Sequence, residues 1–132
     1  MMLVDTSVWI DHFNGHDSPE AACLRQAISD NQDIALCGII LSEILLGLRS
    51  DEQAGKIENL MNAFTWLPEP DWTDYVQAAN IFRTCRSKGI SIRSTIDCLI
   101  ASLCIRHQAP ILTKDRDFTQ IAQHQPLALI SP

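Results

Sequence analysis

Met2-Leu3-Val4-Asp5-Thr6-Ser7-Val8-Trp9 begins with three apolar residues, turns at an acid and two hydroxyls, and continues into a segment through Phe13 that looks helical. Apolar residues in unbroken succession, without polar alternation, suit a strand covered on both faces. The pattern recurs at Ile34-Ala35-Leu36-Cys37, which Gly38 breaks, and at Phe64-Thr65-Trp66-Leu67, which Pro68 ends. It returns at Pro110-Ile111-Leu112-Thr113 and at Leu127-Ala128-Leu129-Ile130. Between these runs the periodicity is helical. Pro19 suits the first position of a helix through Ser29, with Ala22, Cys23, Ala27 and Ile28 inward. Leu41, Ile44, Leu45 and Leu48 mark another helix, and a further one covers Glu52 to Asn62. From Asp71 to Ser87 the residues Trp72, Tyr75, Val76, Ala79 and Phe82 keep helical spacing, with Gly89 as the stop. Ser94 opens a helix through Thr95 to His107, and a short one runs from Arg116 to Gln123. Apolar strands alternating with helices predict a three-layer α/β/α sandwich around a central parallel sheet of about five strands.

The chain of 132 residues corresponds to one domain, expected to span 1–132. With 46% hydrophobic and 20% charged residues, its composition is that of a globular protein rather than a disordered one. No apolar run approaches the roughly 18 residues of a membrane span, and the N-terminus lacks signal-peptide features, so a cytoplasmic location without membrane association is expected. Cys23, Cys37, Cys85, Cys98 and Cys104 form no C-x-x-C pair and lie in apolar surroundings, which predicts reduced packing residues. Trp9, Trp66 and Trp72 at inward positions predict core rather than base-stacking roles. The net charge of −6 opposes simple polyanion binding, but the charge is uneven: residues 1–66 carry 3 basic and 10 acidic groups, 67–132 carry 7 and 6. Arg83, Arg86, Lys88 and Arg93 fall within eleven residues that contain no acid, a stretch suited to hold a nucleic-acid backbone, or else a solvated helix end.

In open parallel sheets, ligands bind beyond the carboxyl ends of the strands. Asp5 follows the first strand, Glu43 begins the helix after the second, Asp97 lies in the first turn of the helix opened by Ser94, and Asp115 and Asp117 follow the fourth. Each has a bland alternative. Ser94 and Asp97 resemble a capping box, Asp115 an N-cap, and Glu43 a complement to a helix dipole. Asp5 resists that discount because Asp is depleted in strands. If the four acids converge, two carboxylates about 4 Å apart repel by roughly 4 kcal/mol at an effective dielectric near 20. Nothing in the sequence supplies fixed positive charge to cancel several such pairs. Either protons or a hard divalent cation must do it; oxygen-only donors select magnesium or manganese over zinc, and such an ion suits phosphodiester hydrolysis.

Four segments carry a resemblance: Asp5-Thr6-Ser7; Ser42-Glu43 with Ile44-Leu45-Leu46-Gly47; Thr95-Ile96-Asp97-Cys98-Leu99-Ile100-Ala101; and Thr113-Lys114-Asp115-Arg116-Asp117-Phe118. In this order, across essentially the whole chain, they resemble a PIN-domain ribonuclease of the VapC toxin type. The resemblance implies a metal-dependent endoribonuclease with Asp5, Glu43, Asp97 and Asp115 as the acidic centre around Mg2+ or Mn2+, and Asp117 able to replace or support Asp115. It implies hydroxyl contacts from Thr6, Ser7 and Thr113, with Ser7 alternatively a helix cap. It also implies an RNA substrate, a homodimer and a cognate antitoxin.

The rival is a non-catalytic α/β binding module or a receiver-like regulatory domain, in which the acids only cap helices. A receiver would want adjacent acids after the first strand, where Asp5 is followed by Thr6. The histidines show no H-E-x-x-H spacing, and no glycine-rich loop follows a strand. Ile40 and Leu46 fall off the inward stripe of their helix, which reads either as a buried helix apolar on all sides or as an exposed partner surface.

Overall fold

A computed structural model describes all residues from 1 to 132. Its elements are β1 (Met2–Val4), α1 (Thr6–Asn14), α2 (Pro19–Ser29), β2 (Ile34–Leu36), α3 (Gly38–Leu46), α4 (Asp51–Met61) and β3 (Thr65–Trp66), then α5 (Trp72–Ser87), α6 (Thr95–Arg106), β4 (Ile111–Leu112) and α7 (Arg116–Ala122). Two units divide the chain. The first contains residues 1–69 with 112–114 and Pro132; the second contains 70–111 with 115–131.

In the first unit the strands order as β3-β2-β1-β4. Met2 pairs with Ile34 and Leu3 with Ala35 in parallel, and Ala35 and Leu36 pair in turn with Thr65 and Trp66. The Asp5 amide donates to the Leu112 carbonyl at 2.9 Å. Strand order therefore reverses direction at β1, which makes the β1/β4 carboxyl end the place where a crevice opens in such sheets. Every residue of β1 and β2 is buried, whereas both residues of the edge strand β3 are exposed. The predicted parallel α/β architecture is present, with four strands instead of about five. Leu127 to Ile130 contributes only an isolated parallel bridge, Ile111 to Leu129, and the Leu127 amide is already taken by the Gln125 carbonyl beside Pro126.

Helix α3 starts three residues before the predicted Leu41, because Gly38 opens the helix as well as ending the strand. A Cβ there would stand 3.2 Å from Glu69 Oε1 and 3.6 Å from Trp66 Cζ2, a tight fit that the exposed Glu69 side chain would have to relieve. The shift turns Ile40 inward, to 0% exposure, as a buried helix requires, while Leu46 stands 85% exposed. In α2 the inward face is Ala21, Leu24 and Ala27; Ile28 is exposed.

In the second unit α5 packs on α6 and both on α7. Helix α6 buries seven consecutive residues, Cys98 to Cys104, as a helix apolar on every side does. Its partner face on α5 is Asp74, Ala78, Ile81 and Cys85, not the predicted Trp72, Tyr75 and Val76 stripe, which is exposed. Small residues at 78 and 85 let the two helices approach closely, and the aromatic stripe is left outside. Asp74 is buried, closes a capping box with Asp71, and accepts Arg106 Nη1 at 2.6 Å. Gly89, at φ +77, ends α5 with a left-handed turn as predicted. The five cysteines are free, four of them buried, as expected.

Candidate functional site

Asp5 sits where β1 becomes α1, at the N-cap position, in extended backbone. Its carboxylate is 6% exposed and is directed at hydroxyls: Oδ2 accepts Ser7 Oγ at 2.9 Å and Thr113 Oγ1 at 2.8 Å. Ser7 lies inside α1, so it is not a cap; its oxygen also accepts the Lys114 amide at 3.2 Å. Lys114 Nζ reaches Asp11 Oδ2 at 2.6 Å, and this ammonium holds the Asp11 carboxyl below the usual carboxylate range. Residues 113 and 114 are thereby pinned to α1 through three side chains. Glu43 stands in the middle of α3 and not at its start, since the helix begins at Gly38; this removes the dipole explanation for it. Thr6 Oγ1 donates to Glu43 Oε1 at 2.9 Å. The first unit thus presents Asp5 and Glu43, each held by hydroxyls from the opening turn of α1 and, for Asp5, from the end of β4.

The second unit brings together Asp97, Asp115 and Asp117, whose carboxylate oxygens lie within 4.8 Å of one another. Asp97 comes from the first turn of α6, opened by Ser94, whose Oγ accepts the Ile96 amide. Asp115 is the N-cap of α7 and accepts the Asp117 amide at 2.9 Å. Asp117, in the first turn, is only 5% exposed. The alternative between Asp115 and Asp117 thus resolves into a cluster containing both. At such separations each ionised pair repels by at least about 3 kcal/mol at an effective dielectric near 20. Charge is supplied by Arg93, for which the sequence leaves backbone contact to RNA and a solvated helix end open. Its Nη2 lies 3.0 Å from Asp115 Oδ1, its Nε 3.5 Å from Asp117 Oδ2, and its amide donates to Asp117 Oδ2 at 3.2 Å. The two carboxylates raise the Arg93 guanidinium further above its ordinary value, Asp115 contributing most. The signal that could have found this is position: Arg93 immediately precedes the Ser94 cap, so its amide points at the end of α7 rather than along α5.

Arg83 and Arg86 line a concavity of about 690 Å3 on α5 with Asn80, Thr84 and Ser87. No acid borders it. The Arg86 guanidinium stands 5.9 Å from the Phe82 ring centroid, a cation–π placement, and Lys88 caps the helix.

The donor set of the Asp97, Asp115 and Asp117 cluster is oxygen alone, which fits a hard divalent cation and excludes a thiolate or imidazole site. The nearest cysteine in sequence, Cys98, is buried with its thiol pushed up to about 12, desolvation being the main cause.

Comparison with known proteins agrees with the geometry. The PIN domain family matches residues 2–123. Ribonuclease VapC11 of Mycobacterium tuberculosis is 40% identical over 124 residues, 93% of this chain and 92% of that one. VapBC-1 from nontypeable Haemophilus influenzae superposes with a TM-score of 0.74 at 19% identity, covering 98% of this chain and 96% of the other. VapBC2 from Rickettsia felis, solved bound to a DNA fragment from their promoter, gives 0.73 at 20% identity with the same coverage. These structural likenesses establish the fold.

Proposed function

This chain belongs to the PIN domain family, and from that membership we propose that it is the ribonuclease toxin of a toxin–antitoxin pair, a single nuclease domain over residues 1–132 that cuts RNA internally. The observation that carries the reading is the oxygen-only trio Asp97, Asp115 and Asp117, with ligand atoms within 4.8 Å, in a chain 40% identical to a ribonuclease along nearly its whole length. Asp97 and Asp115 would hold Mg2+ or Mn2+, with Asp117 beside them; the family resemblance adds Asp5 and Glu43 to the proposed set of acids. When bound, the cation supplies Lewis-acid charge to a phosphate oxygen and makes water a better nucleophile.

The chain's own residues then have definable tasks. Thr113 and Ser7 hold Asp5 Oδ2 in one orientation, and Thr6 does so for Glu43 Oε1. Preorganised carboxylates do not have to be turned at the moment of reaction, which is where such sites gain rate. Asp115 follows Thr113 by two residues, so the segment that orients Asp5 also delivers the fourth acid. Arg83, Arg86 and Lys88 would hold the RNA backbone. A homodimer and a cognate antitoxin belong to the same proposal.

Cleavage of a labelled structured-RNA pool tests it, with Mn2+ or Mg2+, with chelator, and with Asp97→Asn. We expect cleavage that chelator abolishes and that Asp97→Asn lowers by at least about 100-fold, the scale of a lost transition-state interaction. Folded protein that cuts no RNA, and whose melting temperature ignores both cations, would return the acids to helix capping.

A further inference from the structure

One oxygen each of Asp97, Asp115 and Asp117 lies within 4.8 Å of the others, so the three carboxylates repel one another, and the second unit provides a cation of its own. Arg93 lies in the short segment between α5 and α6. Its amide fixes the backbone to Asp117 Oδ2 at 3.2 Å, and its guanidinium spans both carboxylates of α7, Nη2 to Asp115 at 3.0 Å and Nε to Asp117 at 3.5 Å. The environments of the partners differ sharply. The Arg93 side chain is 76% exposed, whereas those of Asp115 and Asp117 are 22% and 7% exposed. One partner can leave for water at little cost, and the other two cannot leave at all.

We propose that Arg93 is the resident counter-ion of the acidic centre: it neutralises Asp115 and Asp117 while no metal is bound and gives way to the divalent cation, so metal binding is an exchange of cations. This rests on the metal-site reading above. Three features support exchange over co-occupancy. The guanidinium bonds Asp115 Oδ1 and abuts Asp117 Oδ2, oxygens on two of the three carboxylates that would hold a metal. A divalent charge beside a guanidinium is repelled by it. The loop itself need not move, because its amide contact with Asp117 is independent of the side chain. The positive charge at the site rises by one: a +2 ion enters, and the +1 guanidinium swings into solvent without losing a proton. The device keeps the acids assembled in the metal-free protein and raises the cation concentration at which the site fills. It also leaves a freed guanidinium beside the acids, where a substrate phosphate would lie.

Titration calorimetry with Mn2+ and metal-free melting of wild type, Arg93→Gln and Arg93→Lys test this without RNA. Arg93→Gln should bind Mn2+ about tenfold more tightly, that is by about 1.4 kcal/mol. It should melt lower than wild type without metal, and gain more on adding Mn2+. Arg93→Lys, a point charge able to face one carboxylate at a time, should fall between the two. Mn2+ affinity that is unchanged or weaker in Arg93→Gln overturns the exchange while leaving the metal site standing. A wild type that binds no Mn2+, or binds it as well when Asp97 is Asn, overturns the metal-site reading and this inference with it.

Discussion

Asp5 takes the N-cap position of α1, yet its Oδ2 accepts Ser7 and Thr113, a residue 108 positions away. An acid placed after a buried strand was visible in the sequence because Asp is rare there; its hydroxyl partners were legible as types but not as contacts. The reverse holds for Lys114. Nothing in Thr113-Lys114-Asp115 says that the ammonium turns back to Asp11 rather than toward its acidic neighbour. That pairing makes a pH prediction. The Asp11 carboxyl is depressed below its ordinary 3.8, the Lys114 hydrogen bond being the largest cause. A depressed carboxylate stabilises the fold above its unfolded value and loses that contribution as pH falls through the folded one. Lys114→Met should therefore cost about 1 kcal/mol at pH 7 and show a smaller drop in urea midpoint between neutral pH and pH near 3 than wild type does. An equal drop in both proteins would separate Asp11 from acid unfolding.

Periodicity located all seven helices to within a few residues, but it oriented them less well. Trp72, Tyr75, Val76 and Ala79 form a helical stripe more apolar in bulk than the face that α5 actually buries, and hydrophobicity alone chose the wrong one. The physical reason is proximity: α6 is apolar all round and accepts the narrow face of Ala78, Ile81 and Cys85, while Asp74 on the same face pairs with Arg106 of α6. Trp72 is consequently 84% exposed and Ile81 fully buried. Ile81→Ala should destabilise by about 2–4 kcal/mol, the cost of a core cavity, whereas Trp72→Ser should stay within about 0.5 kcal/mol. Urea denaturation of the two variants decides; a Trp72→Ser cost as large as that of Ile81→Ala would restore the aromatic face to the core. Helix α3 shows the same limit in another form. Gly38 read as a strand breaker and is the first residue of a helix, because Cys37 leaves the strand in extended backbone directly at that helix's cap position.

Charge is a property of the whole molecule, and here it runs against function. A chain of net charge −6 repels RNA at long range, so the polyanion must be caught locally. The α5 concavity bearing Arg83 and Arg86 is the acid-free candidate, and Arg93 no longer belongs with it, being engaged by Asp115 and Asp117. Arg83→Ala with Arg86→Ala should weaken RNA binding and lower the slope of log affinity against log salt by about 0.7 for each lost phosphate contact. An unchanged slope would show that these arginines only solvate the helix. The sequence by itself determined the parallel α/β architecture and the order of the elements, and it singled out the candidate acids, because those depend on local pattern: unbroken apolar runs, helical spacing, and carboxylates where strands end. Only the tertiary structure decided that the sheet stops at four strands, that α5 turns its aromatic residues outward, that Asp115 and Asp117 stand together with Asp97, and that Arg93 is their counter-ion. Those outcomes depend on which surfaces meet and on how much charge each meeting leaves uncompensated, and neither quantity is a property of any single stretch of chain.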